Sequence, residues 1–257
     1  MANPDTFAAI AARPEGKSDA NDTCIVYYRY RELCVMTLCQ PLDIKTTTIT
    51  SEVCGTNVMT IRDVRIPPLP IHEWADTQKQ VLMAFVEAVP DDFQGGHKEE
   101  TDYTALEVLL NHPALAKAYL SYSQWLMQKN ELPTRDKELA ILRVGVMTKS
   151  TYEWAQHIMV ARHERIPDDD IRRVITGPDA PEWNEKERCL LRAVDELVGG
   201  AFISDQTWES LAGYYSTNQL LEIMFTVGSY TMMAMVFNSV CIPMNEHLQA
   251  AAAEFPL

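Results

Sequence analysis

Basic residues, paired cysteines and clustered histidines are all scarce in this chain of 257 residues. Lys and Arg number 22 against 36 Asp and Glu, a formal charge of −14. That excess repels a nucleic-acid backbone and an anionic membrane surface, so neither is expected as a partner. The six cysteines are Cys24, Cys34, Cys39, Cys54, Cys189 and Cys241, and no two stand as Cys-x-x-Cys. The six histidines are not interleaved with them at zinc-site spacing, so no metal and no cofactor is expected. The amino terminus has no basic start followed by an apolar segment, which leaves secretion without support. A reducing, cytoplasmic setting is the expectation. Asp168 to Asp170 has the makings of a helix start, because the remainder of a calcium loop is missing.

Charge is also missing locally. Ile223 to Met244 carries no charged side chain and is long enough to span a bilayer, yet includes Thr226, Ser229, Tyr230, Thr231, Asn238 and Ser239. It is expected as a central core helix or a helix at a subunit contact.

What is present after residue 60 is helical. The hydrophobic fraction of 47% supports a folded core, and nothing in this stretch alternates as a sheet would. The lead-in Arg65-Ile-Pro-Pro-Leu-Pro70 is extended, since each proline fixes its own φ and biases its predecessor away from helix. Helices are expected from Asp76 or Thr77 to about Ala88, then at about 103–110, 113–129, 134–148, 151–163, 168–175, 184–198, 205–214 and 217–242, with Thr134, Asp168, Ser204 and Ser216 as candidate caps. Residues 1–60 form an extension of uncertain order, in which Val26, Tyr28 and Cys34 to Leu38 have some strand character. The fold class is therefore all-α, with residues 61–257 as the helical domain.

A faint duplication runs through this domain. Trp74 and the residues after it match Trp183 and its successors, pairing Leu82 with Leu191, Ala84 with Ala193, Glu87 with Glu196 and Val89 with Val198. Thr134 to Gly145 also lies on Thr217 to Gly228. Extending that second register sets Glu138, Ser150, Glu153 and His157 against Leu221, Met233, Val236 and Val240. One half is expected to carry a polar site and the other to line it with apolar side chains.

The polar site is the chemical core of the sequence. Glu153 and His157 stand four apart, on one face of a helix. Imidazole is the side chain whose ordinary range includes neutral pH, which makes His157 the leading general acid or base. Glu153 would orient the imidazole or move the proton itself. Glu138, on the preceding helix, would complete a Glu–His–Glu cluster if the two helices fold back across Lys149 and Ser150. Two carboxyls in a dry pocket keep a proton available near pH 7. Arg143 is a candidate for gripping a substrate carboxylate, whereas Arg162 reads as a surface or salt-bridge residue. Ser150 and Tyr230 are candidate ligand contacts, and the methionines of 224–235 are a candidate wall.

Together, Arg65–Pro70, Arg135-Asp-Lys-Glu-Leu-Ala-Ile-Leu-Arg143, Tyr152-Glu-Trp-Ala-Gln-His157, Gly177-Pro-Asp-Ala-Pro181, Ala193–Leu197 and Ile203–Trp208 resemble the carboxymuconolactone decarboxylase and alkylhydroperoxidase-D-like (AhpD-like) superfamily in its long form. The resemblance covers about residues 62–245. It implies an AhpD-like multi-helical orthogonal bundle with an internally repeated unit, assembled as a dimer, trimer or hexamer. The peroxidase branch carries Glu, Cys-x-x-Cys and His where this chain has Glu138, Ser150, Glu153 and His157, so both redox cysteines are absent and no dithiol supplies electrons. The decarboxylase branch keeps the Glu-x-x-x-His arrangement. The expectation is a cofactor-independent acid–base enzyme of decarboxylase, isomerase, dehydratase or cyclase type, acting on a small carboxylated lactone, enol or related ring. The alternatives are a secondary-metabolite tailoring enzyme for a larger aromatic or polyketide substrate, and a non-catalytic oligomeric binding protein.

Overall fold

The structure, a computed structural model, describes residues 10–11, 24–30, 33–39, 63–86 and 104–257. The chain divides into two compact units, Met1–Met59 and Thr60–Leu257. In the first, β1 (Ile10–Ala11), β2 (Cys24–Tyr30) and β3 (Leu33–Cys39) form an antiparallel sheet in the order β1-β2-β3. Cys24 pairs with Cys39 and Tyr30 with Leu33, a tight hairpin register. The strand character of Val26, Tyr28 and Cys34 to Leu38 is realised in that hairpin, while the all-α fold belongs to the second unit.

Ten α-helices make up the described part of that unit: α1 (Asp76–Val86), α2 (Thr104–Leu109), α3 (Pro113–Gln128), α4 (Thr134–Thr148), α5 (Thr151–His163), α6 (Asp168–Thr176), α7 (Glu185–Gly200), α8 (Asp205–Ala212), α9 (Thr217–Val240) and α10 (Glu246–Glu254). The Pro/Gly-rich break at 90–96 lies outside the described residues. Ser204 and Ser216 cap α8 and α9 through their side chains, and Ser216 forms a reciprocal capping box with Gln219. Thr134 and Asp168 stand one residue inside their helices, behind Pro133 and Pro167. Helix α10 has no counterpart among the sequence expectations. Its Asn245 cap and two buried residues, Leu248 and Ala251, make a short signal.

Helix α4 is the axis of the fold. Every residue from Asp136 to Gly145 is buried, because α5, α6, α7 and α9 pack around it. One core joins α4 to α7 and α9 through Ala140, Val144, Leu190, Val194, Ile223 and Val227. A second joins α4 to α5, α6 and α10 through Leu142, Trp154, Ile158, Ile171 and Phe255. The charged residues of α4 are consequently paired. Asp136 accepts from the Tyr215 hydroxyl at 3.0 Å and meets Lys186 Nζ at 2.5 Å, and Arg135 bridges Glu187 and Asp170.

The repeated unit appears as repeated packing. Trp74 and Trp183 each stand two residues before a helix, each is buried, and each donates its indole N–H to an upstream carbonyl, Leu69 and Gly177 respectively. Thr134 and Thr217 both open helices. Beyond Gly228 the residue-by-residue match ends: α4 stops at Thr148 and turns through left-handed Lys149 (φ 52°), whereas α9 runs straight to Val240. Met233, Val236 and Val240 therefore follow a different path from Ser150, Glu153 and His157. Leu221, expected inside, is 49% exposed.

Candidate active site

The α4–α5 turn builds the site. Lys149 donates its backbone N–H to Val146 O and Ser150 donates to Gly145 O, closing α4 and reversing the chain. Gly145 lets α5 press close, since a Cβ there would stand 3.3 Å from Trp154 Cα. That fold-back brings Glu138 Oε2 to 2.8 Å from His157 Nδ1. A carboxylate only accepts, so Nδ1–H donates to it and Nε2 is left as the ring's acceptor. Glu138 is 3% exposed and stands behind the ring.

His157 faces a pocket of about 320 Å³, enclosed by α1, α2, α3, α5 and α9. Glu153 lies on the same wall, buried, with Oε2 lacking a hydrogen-bond partner. Burial pushes its carboxyl pKa up to about 9, so it holds its proton at neutral pH. Tyr230 meets His157 edge to face, with ring centroids 4.9 Å apart at 85°. Burial, with the Glu138 charge nearby, raises the Tyr230 phenol well above its usual value, so it also stays protonated. Tyr119, across the pocket on α3, is raised by burial too. The site therefore brings together three phenols, of which burial keeps Tyr119 and Tyr230 neutral, one protonated carboxyl and one imidazole backed by Glu138.

Sequence reasoning put Glu138, Glu153, His157 and Tyr230 in one neighbourhood, and the fold brings them together. Ser150 stands at the helix junction, fully buried with its Oγ unpartnered, and does not line the pocket. Arg143 requires correction as a substrate anchor. Its guanidinium makes two hydrogen bonds to the Asp195 carboxylate, at 2.6 and 2.8 Å, and donates to the carbonyls of Val174 and Ile175. It ties α4 to α6 and α7, away from the pocket. Arg162 pairs with Asp168 and Glu254, as a salt-bridge residue would.

Tyr119, Tyr152, Gln156 and Phe237 were missed as wall residues. Tyr152 and Gln156 had a legible signal, one helical turn apart beside Glu153 and His157. The Tyr152 hydroxyl accepts from Gln156 Nε2 and from Ala105 N–H at the start of α2, both at 3.1 Å. Tyr119 and Phe237 arrive from distant chain positions and had none. Among the described residues, no group of three His, Cys, Asp or Glu side chains is arranged to hold a metal. A broader polar groove along α7 and α8 is open, and its Arg188 and Glu196 are occupied by backbone carbonyls and by Ser204 and Thr207.

An all-helical bundle with a largely apolar pocket beside a buried Glu138 and a partly buried His157 is the class this geometry defines. The carboxymuconolactone decarboxylase family matches residues 113–196, and the chain has the AhpD/carboxymuconolactone decarboxylase-like superfamily fold. The debrominase Bmp8, solved in complex with 2,3,4-tribromopyrrole, is similar over 75% of this chain and 98% of its own, with a TM-score of 0.61 and 15% identity. An uncharacterised peroxidase-related protein from Silicibacter sp. TM1040 is similar over 75% of this chain and 97% of its own (TM-score 0.58, 12% identity). The alkylhydroperoxidase AhpD core protein from Ralstonia eutropha JMP134 is similar over 73% and 95% (TM-score 0.57, 13% identity). No curated protein sequence matches this chain.

Proposed function

We propose that the protein is an acid–base enzyme that moves a proton at a carbon of a small ring-containing organic molecule. Glu138 holds the His157 ring, Nε2 of His157 takes the proton from a carbon beside a carbonyl, and Glu153 gives a proton to the developing oxygen anion. The observation that carries this reading is the 2.8 Å Glu138–His157 hydrogen bond behind a pocket also lined by Glu153, whose Oε2 has no hydrogen-bond partner. An imidazole and a carboxyl that burial keeps protonated stand on one wall, an arrangement suited to proton transfer at neutral pH. Both redox-cysteine positions of the peroxidase branch are filled by Ser150 and Glu153, so the chemistry is proton transfer without a dithiol.

Among the readings the sequence left open, tailoring of an aromatic or polyketide-like ring has the better support. Arg143, the anchor that a carboxylated lactone needed, is committed to Asp195, and the pocket walls are largely apolar and aromatic. The AhpD-like debrominase solved with a brominated pyrrole shows a ring compound accommodated on this fold. The working unit in this reading is a homo-oligomer, joined through the uncovered apolar face of α9.

Deuterium exchange tests the reaction. Hydroxyaromatic ketones, cyclic enols and lactones would be incubated with the full chain in D2O, and NMR would follow label entering carbons beside the carbonyl. The His157→Gln variant should abolish the labelling of any accepted compound. Undiminished labelling by that variant would refute the assignment.

A further inference from the structure

Among the described residues, none that lines the pocket carries a fixed positive charge to meet an anion: its lining includes neither Lys nor Arg. The nearest cation-forming group is His157, whose positive charge on protonation is matched by Glu138. Arg143 is held by Asp195 and two backbone carbonyls, and Lys137, also buried, donates to Met127 O. A carboxylate entering here would lose its water, meet no counter-charge among the described lining residues and approach a wall that already carries the Glu153 carboxyl, with Glu138 behind His157. Phe85, Tyr119, Tyr152, Tyr230 and Phe237 surround the space with ring faces and edges. Among the described residues, Glu153 is the lining residue with a buried side-chain atom, Oε2, that has no hydrogen-bond partner, and a buried polar atom left alone is costly unless a ligand completes it.

We propose that this pocket selects an uncharged, flat ring compound whose carbonyl oxygen accepts a hydrogen bond from Glu153, and that it excludes the corresponding carboxylate. This rests on the acid–base reading of the same site and specifies the class of substrate it takes. Among the described residues, the titratable groups lining the pocket with Glu153 are Tyr119 on α3, Tyr230 on α9, and Tyr152 and His157 on its own helix, with Glu138 on α4 behind them. None is a fixed cation, so nothing on the facing elements draws the Glu153 proton away at neutral pH. A volume of about 320 Å³ is at the lower end of ligand pockets and suits one or two fused rings. The neutral ligand supplies the missing acceptor, and the aromatic walls supply contact area without selecting charge.

A matched pair of probes tests this without turnover. 2-Acetonaphthone and 2-naphthoate have the same ring system and differ in bearing a neutral carbonyl or an anion. Titrated into the full chain at pH 7 and followed by ligand-observed NMR, the ketone should bind at least about tenfold more tightly than the carboxylate. Glu153→Gln, which keeps an N–H donor, should hold ketone binding within about threefold, while Glu153→Leu should weaken it by about tenfold. Equal or tighter binding of 2-naphthoate would overturn the proposal, as would no binding of the ketone up to its solubility or unchanged binding by a folded Glu153→Leu. If Glu153→Leu does not fold, the wild-type comparison alone decides. Ketone binding with no deuterium exchange in any bound ring compound would instead refute the proposed reaction and leave the charge selection standing.

Discussion

Glu138 Oε2 and His157 Nδ1 stand 2.8 Å apart across two helices that meet only because the chain reverses at Lys149 and Ser150. The hydrogen bond fixes one tautomer, which leaves Nε2 free for chemistry. Replacing His157 by Gln keeps a side chain of similar reach but removes the titrating group, so turnover of any accepted substrate should fall by on the order of 10²–10⁴-fold. Glu138→Gln keeps an acceptor and loses the charge that stabilises the imidazolium. It should lower kcat more than it raises KM, and steady-state kinetics would separate the two. A rise in KM alone would make Glu138 a binding residue.

Glu153 should make the protein less stable as pH rises. Its carboxyl is raised from 4.5 to about 9 by burial, so the folded state holds a proton that the unfolded chain releases. Below about pH 4.5 both states are protonated and the group has no effect. Between the two values the folded state binds more protons, and stability declines steadily until it levels above about pH 9. Glu153→Gln removes this slope and should stabilise the fold by about 3 kcal/mol at pH 7. Urea titrations of both proteins at pH 5, 7 and 9 would check it, and parallel curves would refute the buried neutral carboxyl.

Arg143 should matter to stability. Its guanidinium lies against Gly177, whose φ is +88°, and a Cβ there would stand 2.5 Å from Arg143 Nη2. Gly177→Ala combines a strained backbone with that overlap and should destabilise by about 2 kcal/mol or more. Arg143→Ala leaves Asp195 uncompensated and should cost about 3 kcal/mol. Thermal melts would register both. Binding of 2-acetonaphthone by whatever folded fraction remains should be unchanged, which a substrate-gripping role would not allow.

The uncovered face of α9 should mediate self-association. Leu221, Phe225, Gly228, Met232 and Met235 are all exposed, and their 4-3-4-3 spacing is that of a helix-pairing seam. Among the described residues, nothing lies within 4 Å of a Cβ placed on Gly228, so their packing does not require a glycine there, yet it permits close approach of a second backbone. The seam is uncharged on a molecule of net charge −14, which makes it the face on which two copies meet with least repulsion. Light scattering should find an oligomer that Met232→Glu dissociates. A wild-type monomer, or an oligomer indifferent to that change, would exclude this seam.

The helices were legible because each carries its own period and ends. Expected bounds such as 134–148 and 151–163 coincide with α4 and α5. Glu153 and His157 were legible as a pair because four residues make one helical turn, and Glu138 because the turn at Lys149 lies between two well-marked helices. Arg143 was misjudged for a physical reason: a guanidinium seeks a carboxylate, and the nearest one belongs to Asp195, far along the chain. Leu221 was misjudged because apolar character was taken for burial, while α9 also carries apolar side chains on its exposed face.

By itself the sequence determined local matters: where helices begin and end, the absence of a redox pair, and which acid and base share a helical face. These depend on neighbours within a turn or two. Tertiary structure alone decided the rest: that α4 is buried along most of its length, that Tyr119, Tyr230 and Phe237 line one pocket with Glu153, and that no Lys or Arg among the described residues lines it. Those outcomes depend on which distant side chains exclude water together, and exclusion of water is what turns Glu153 from an ordinary carboxylate into a proton carrier at neutral pH.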